Sequence, residues 1–383
     1  MWEEIGLYDI ILFDVDGVFL SEERCFDASA LSVWELLNAP QFLSLAAEYT
    51  TKPDENMIRR IRQEVFQNDQ VLDWMKSRGI NSNWDMVFLT FSAQLLLLLK
   101  ELYPDHKEKV QDFLQQPVTE ASLQDLKQWG GSKLQSFTPS FSSLISLYAD
   151  REQIAKHELL VYFNDLAERW FGIPVSQFSR NSSLWELGYS VYQEWYLGDK
   201  LYQEIEGKEV RCSGKEGFLH QEIPITEPEK IRSALNQLAE RGITLGIGTG
   251  RSLLETEVPL KALGLYSHFA ESRIATASDV IAAEEAYPDH APLGKPEPFT
   301  YILGYLGRSA TAEECLSLTL PIPDGKKVLI VGDSVADYLA ARKMGCDFAA
   351  TLTGLTGQAA RSKFEELKAD YILNDVTELT EIF

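Results

Sequence analysis

Ile10-Ile11-Leu12-Phe13-Asp14-Val15-Asp16-Gly17 is the stretch on which the fold of this 383-residue chain turns. Four apolar, β-prone residues run together without alternation, which predicts a strand buried on both faces of a parallel sheet. Two carboxylates two residues apart follow at its carboxyl end, and Gly17 lets the chain turn sharply. Two further apolar runs end in the same way. Ile243-Thr244-Leu245-Gly246-Ile247 leads into Gly248-Thr249-Gly250-Arg251, and Val328-Leu329-Ile330-Val331 into Gly332-Asp333-Ser334-Val335-Ala336-Asp337. A fourth polar block is Gly294-Lys295-Pro296. In an open α/β sheet ligands bind at the carboxyl ends of the strands. Four carboxylates, one hydroxyl and one ammonium converging there make a site for a divalent metal and a phosphate.

The more than 200 residues between the first two blocks lack strand alternation and read as helices. Asn83 to Leu102 is apolar nearly all round, which predicts a buried central helix. Asp150 to Phe171 and Ser183 to Ile205 read as two more long helices. Ser82-x-x-Asp85, Ser183-x-x-Glu186 and Thr226-x-x-Glu229 read as capped helix starts, the last with Pro228 in the first turn. A Gly/Ser/Pro-rich loop near 130–144 divides the insertion into two halves. A helix runs to about Leu263, a short strand lies near Ile274, and Ala336 to Met344 is a helix stopped by Gly345. Phe348 to Leu352 is the last strand candidate, and Gly307 to Gly325 reads as a loop.

The four blocks, in this order, resemble the four motifs of the haloacid dehalogenase superfamily, whose members are mostly phosphatases. The resemblance covers the first twenty or so residues and nearly everything after Ile223. It implies an α/β fold: a Rossmann-like three-layer core with a parallel sheet, residues 1–20 and 223–383. A large all-helical cap, residues 21–222, is inserted after the first strand. That is the type I arrangement of the phosphoglycolate phosphatase and β-phosphoglucomutase kind. After the first motif many type I members read Asp-Ser-Glu where this chain has Ser21-Glu22-Glu23. That difference, the long interval between Lys295 and Asp333 and the oversized cap leave the catalytic groups untouched but not the identity of the substrate.

The resemblance assigns Asp14 as the nucleophile. An ionised carboxylate can attack phosphorus and form an aspartyl-phosphate. Asp16 would protonate the leaving oxygen and later take a proton from water, for which a neighbouring carboxylate can raise its pKa. Thr249, with the backbone N–H groups near Gly250, would hold a phosphoryl oxygen. Lys295, between Gly294 and Pro296, would pair with Asp14 and meet the incoming phosphate as a point charge. Mg2+ would take Asp14, the backbone carbonyl of Asp16 and Asp333, with Asp337 acting through water or orienting Lys295. Asp333 and Asp337 could also serve simply as helix-start caps. Arg251 would either face the phosphate or pair on the surface. Arg211 and Lys215, beside Gly214 and Gly217, would form a substrate-selecting loop or hinge; the plainer alternative is an exposed turn. A phosphomutase would use the same residues, and a non-catalytic binding or regulatory protein could occupy the same scaffold.

Composition fits a soluble enzyme, with 45% hydrophobic and 24% charged residues. A net charge of -23 and the lack of a basic stripe exclude nucleic acid and anionic membranes as expected partners. The same charge gives an anionic substrate no long-range attraction, so a metal or a local positive cluster must capture it. The acidity is spread over the chain: 20 Lys+Arg face 30 Asp+Glu in residues 21–225, and 15 face 28 elsewhere. Cys25, Cys212, Cys315 and Cys346 are far apart and read as reduced cytosolic thiols, so a cytoplasmic location is expected. The start Met1-Trp2-Glu3-Glu4 lacks the basic region of a signal peptide. The expected partner is a small phosphorylated metabolite; nothing in the residues speaks to oligomeric state.

Overall fold

The computed structural model describes residues 8–45, 48–80, 82–151 and 156–383. The chain forms two compact units. One runs to Glu22 and resumes at Leu219 through Phe383; the other is Glu23–Phe218. The first holds a six-stranded sheet: β1 Ile10–Phe13, β2 Thr244–Gly248, β3 Ile274–Ala275, β4 Val328–Gly332, β5 Asp347–Thr351 and β6 Tyr371–Leu373. The order is β3-β2-β1-β4-β5-β6 and every pairing is parallel. The chain moves outward from β1 to β3, then returns to the other side of β1 as β4. The order therefore reverses between β1 and β4, the topological switch point at which such sheets bind ligands.

Strand periodicity explains the layers. Ile11, Phe13, Leu245, Ile247, Leu329 and Val331 join Ile231, Leu235, Leu238 and Phe269 in one apolar cluster. Their neighbours Leu12, Val328, Ile330, Phe348 and Ala350 join Tyr301, Leu303, Ala340 and Met344 in another. Alternate residues of each strand point to opposite faces, so both faces are covered and the strands must be apolar throughout. The uninterrupted apolar runs predict these buried parallel strands, and the three-layer α/β core is the one the family resemblance implies. The points where the chain leaves and rejoins the sheet unit are tied together. Ser21 N–H donates to Ile223 O (2.7 Å) and Ile225 N–H to Phe19 O (2.9 Å).

Among the described residues of the other unit, the regular elements are all helices. Its helix Asn83–Leu102 is buried on all sides except near Asn83, Leu97, Lys100 and Glu101. It packs against Glu23–Asn38 and Ser183–Leu197. No helix among the described residues is long and apolar enough to cross a membrane.

Several local expectations need correction. Ser82 stands at the cap of Asn83–Leu102 but makes no side-chain cap bond. Asp85 Oδ1 instead accepts the indole N–H of Trp185 at 2.8 Å. The cap of Ser183–Leu197 is Ser182 rather than Ser183, its hydroxyl accepting from Trp185 N. That of Pro228–Glu240 is Glu227, not Thr226. Of the expected helix Asp150–Phe171, residues 152–155 lie outside the described set, and the rest is Lys156–Leu159 and Tyr162–Phe171. The expected helix Ser183–Ile205 breaks at Gly198, where φ is +78° and a Cβ would lie 2.5 Å from Glu216 O. Only glycine fits that junction. The Gly-rich stretch near 130 begins as a kink at Gly131 within Glu120–Ser136, and the loop follows it. Residues 307–325 are not a bare loop: Thr311 and Glu314 form a capping box that starts helix Ala312–Ser317.

Candidate active site

β1 and β4 run side by side with Phe13 level with Val331, so the residues that follow, Asp14 and Gly332–Asp333, emerge together. Asp14 N–H extends the ladder to Val331 O (2.8 Å). Asp14, Asp333 and Asp337 each bring one carboxylate oxygen within 4.8 Å of the others. The turn after β1 is fitted to this cluster. Gly17 has φ +67°, and a Cβ there would sit 2.4 Å from Asp333 Cγ. Its carbonyl accepts the hydroxyl of Thr351 (3.0 Å), the last residue of β5, and that of Thr353 (2.5 Å) just beyond it. On the other side a Cβ on Gly354 would fall 1.9 Å from Asp333 Oδ2. The space around the Asp333 carboxylate is thus kept free of side-chain carbon from two directions.

Lys295 supplies the cation. Its Nζ lies 2.8 Å from Asp14 Oδ2 and 2.7 Å from Asp337 Oδ1, and all three side chains are nearly or fully buried. Tyr301, on helix Phe299–Leu306, donates its hydroxyl to Asp337 Oδ1 (2.7 Å) and sets its ring 4.8 Å from the Lys295 ammonium. Ser334 donates its hydroxyl to Asp337 Oδ2 (2.6 Å), and Asp337 Oδ2 also accepts Ser334 N–H. Asp337 therefore has both oxygens engaged by neighbours of its own. Burial opposes its charge, but the Lys295 ammonium and the bonds from Lys295, Ser334 and Tyr301 outweigh it and hold its carboxyl below the usual range. Asp14 differs. Burial pushes its carboxyl up to about 7 against the pull of Lys295, with Asp337 and Asp16 adding to the rise. Lys295 itself is held above the ordinary lysine range, its burial outweighed by the two carboxylates. Two carboxylates share one ammonium, and Asp14 is the less satisfied of the pair.

Asp16 stands apart from this cluster. Its Oδ1 accepts Arg251 Nε at 2.9 Å and Nη2 at 2.6 Å. The sequence led to a neighbouring carboxylate as the group that sets the environment of Asp16; the group bonded to it is a guanidinium. Arg251 is 4% exposed, so it neither pairs on the surface nor stands free to meet a phosphate. Its Nη1 donates to Glu222 Oε1 (2.8 Å) and Glu255 O (3.2 Å). Thr249 follows β2 and is buried, its hydroxyl oxygen accepting Arg251 N–H at 3.2 Å. Gly250 beside it is exposed. Asp333 does not cap the helix Val335–Met344: Ser334 is the cap and Asp337 completes its capping box.

Arg211 and Lys215 lie elsewhere, inside the helical unit. Lys215 Nζ is fully buried between Glu35 Oε1 (3.0 Å) and Glu194 Oε2 (2.6 Å). Arg211 Nη1 donates to Glu194 Oε1 (2.7 Å) and Ser190 Oγ (2.9 Å). Lys215 is thus neither an exposed turn residue nor a side chain free to reach a ligand, because two buried carboxylates consume its charge. Substituting Lys215 by Ala leaves Glu35 without a cation and Glu194 with Arg211 alone, and should cost about 3–5 kcal/mol of stability. Urea unfolding of the variant checks this; a midpoint within error of wild type contradicts it.

Three functional neighbours escaped the sequence. Ser334-x-x-Asp337 is the same capping pattern applied at Ser82, so that signal was present. Tyr301 and Glu222 carry no spacing or motif that distinguishes them, since they meet their partners only through the tertiary fold.

Comparison with known proteins fits this geometry. A family model described as haloacid dehalogenase-like hydrolase matches residues 151–345. An X-ray structure from the Northeast Structural Genomics Consortium is 40% identical over 98% of each chain, with a TM-score of 0.77. A HAD-superfamily hydrolase of subfamily IA from Geobacter sulfurreducens is 17% identical over 100% of this chain and 99% of its own, with a TM-score of 0.36. A predicted phosphoglycolate phosphatase from Haemophilus somnus is 14% identical over 99% of both chains, with a TM-score of 0.37. At those last two scores neither protein bears on this chain's substrate. Among functionally curated proteins, none matches the sequence.

Proposed function

The chain belongs to the haloacid dehalogenase-like hydrolase family, and from that premise we propose that it is a Mg2+-dependent phosphatase of a small phosphorylated metabolite. The observation that carries this reading is the meeting of Asp14, Asp333 and Asp337 at the switch point, with Lys295 bridging two of them. Three carboxylates against one ammonium leave an excess of negative charge in a buried place, which a cation relieves. The donors are hard oxygens, as Mg2+ prefers, and the glycine-lined space around Asp333 leaves room for it. Asp14 and Asp333 would hold the ion, together with the Asp16 backbone carbonyl, while Asp337 orients Lys295. When bound, Mg2+ neutralises charge on the phosphoryl oxygens and so lets a carboxylate approach them.

The chain's own groups then divide the work. A carboxylate oxygen of Asp14 attacks phosphorus and the P–O bond to the leaving group breaks. The leaving oxygen takes its proton from Asp16. Water next attacks phosphorus, Asp16 receives the proton, and the bond from Asp14 to phosphorus breaks to release phosphate. Lys295 and the Thr249–Gly250 loop hold the phosphoryl oxygens through both steps. The helical unit is proposed as the cap that selects the leaving group, and the cytoplasm as the place of action.

The test is a panel of phosphorylated metabolites assayed with Mg2+ and with EDTA. Turnover of at least one ester, abolished by EDTA, is expected. Binding without turnover on every ester would instead favour a non-catalytic protein on this scaffold. A second expectation concerns pH. A carboxylate must be ionised to bind a cation, and without one Asp14 sits at about 7. Mg2+ affinity measured by calorimetry should therefore tighten between about pH 6 and pH 8, with proton release at the lower value. Affinity independent of pH over that range would remove Asp14 from the ligand set.

A further inference from the structure

Arg251 is a buried charge that the phosphatase chemistry above does not use, and its surroundings are specific. Its Nε and Nη2 both donate to one oxygen of Asp16, Oδ1. Oδ2 of Asp16 accepts no hydrogen bond among the described residues, and the side chain is 21% exposed. The far edge of the guanidinium is fixed in turn. Nη1 is bound by Glu222 Oε1, whose side chain is 2% exposed, and by the carbonyl of Glu255. A planar fork held at one edge presents its other edge in one orientation.

We propose that Arg251, clamped by Glu222, is the positioning residue that aims Asp16 at the leaving-group oxygen. This rests on the assignment of Asp16 as the group that exchanges protons with substrate and water. Two donors on Oδ1 fix the carboxyl plane and reserve that oxygen as acceptor. The proton to be transferred then resides on Oδ2, the oxygen turned away from the guanidinium. In the first step the Oδ2–H bond breaks and the proton passes to the leaving oxygen as its bond to phosphorus opens. In the second, Oδ2 takes a proton from the attacking water. No other reactant is needed, and Arg251 keeps its proton throughout.

Asp16 follows β1 and Arg251 follows β2, so the clamp joins the carboxyl ends of neighbouring strands. Glu222 stands next to Ile223, whose carbonyl accepts Ser21 N–H. The second block of the sequence therefore serves two purposes: Thr249 for the phosphoryl group and, two residues on, Arg251 for the acid.

The test compares kcat/KM for two phosphate monoesters with Mg2+ present, one an alkyl ester and one the activated 2,4-dinitrophenyl ester. kcat/KM reports steps up to cleavage of the ester bond, where only the alkyl oxygen needs a proton. Arg251→Gln should lower kcat/KM on the alkyl ester by about 10²-fold or more, the range of a lost general acid. The activated ester should lose less than about tenfold. Arg251→Lys, which keeps a charge but not the fork, should show the same selective loss to a smaller degree. It supplies the readout if the Gln variant fails to fold. The double variant Asp16→Asn/Arg251→Gln should be no slower on the alkyl ester than Asp16→Asn alone. Equal losses on both esters, or a further loss in the double variant, would overturn the clamp and leave Arg251 a structural or phosphate-binding residue. If the wild type hydrolyses neither ester, the phosphatase reading falls and the clamp with it, a result distinct from wild-type turnover with an unselective Arg251 effect.

Discussion

Asp14→Asn should lower kcat on any phosphate ester the protein hydrolyses by about 10³-fold or more, because the amide cannot form the bond to phosphorus. The loss should come without unfolding. The folded-state pKa of Asp14 is raised from 3.8 to about 7, so ionising it costs the native state more than the unfolded one. That cost is absent at low pH, where both states are protonated. It grows as pH rises above the unfolded value and is complete above about 7. Asparagine carries no such cost. In metal-free buffer near pH 8 the variant should therefore melt no lower than wild type. Near-normal turnover would contradict the assignment, and a collapsed melting temperature would mean that activity was lost for another reason.

Lys295→Met should have the second largest effect, on both activity and stability. Methionine fills a similar volume but removes the ammonium from Asp14 and Asp337, each less than 3 Å away. Two buried carboxylates are left facing one another. Breaking a buried pair in this way costs about 3–5 kcal/mol. Added Mg2+ should recover part of this, since a ligand bound only by the native state stabilises it by mass action. Turnover should fall by about 10²- to 10³-fold, the magnitude for loss of a charge that stabilises the transition state. Lys295→Arg should not restore it, because a planar fork cannot lie between two carboxylates as a compact ammonium does. Melting and kinetics of both variants with and without Mg2+ decide the matter; a Met variant indifferent to Mg2+ would contradict the proposed ion.

The sheet was legible because it is buried on both faces. Ile10–Phe13 and Val328–Gly332 have no polar residue to alternate, and that uninterrupted run is itself the signature of a parallel core strand. The convergence of Asp14, Asp333 and Asp337 was legible from the strand ends, whereas Lys295 follows no strand and was placed with them by the family resemblance. The orientation of each carboxylate was not legible. Asp14 and Asp16 share a turn, yet one faces an ammonium and the other a guanidinium. Which cation each meets depends on side chains from the turn after β2 and from the loop before Phe299, brought together only by folding. The interior of the helical unit was least legible. Lys215 and Arg211 beside two glycines look like a solvated turn. Lys215 is buried between Glu35 and Glu194 on separate helices, and the half-buried Arg211 is drawn in by Glu194. Helix ends missed by one residue, as at Ser182 and Glu227, because adjacent polar residues compete for the same cap.

The most direct test of the account is chemical trapping of residue 14 during turnover. The Mg2+-loaded enzyme is mixed with an ester it hydrolyses, quenched in acid while turning over, reduced with borohydride and mapped by mass spectrometry. Reduction of an aspartyl-phosphate leaves homoserine, so the account predicts homoserine at position 14 and nowhere else, and none in Asp14→Asn. Steady turnover with position 14 unmodified, or homoserine at Asp16 or Asp333 instead, would contradict it.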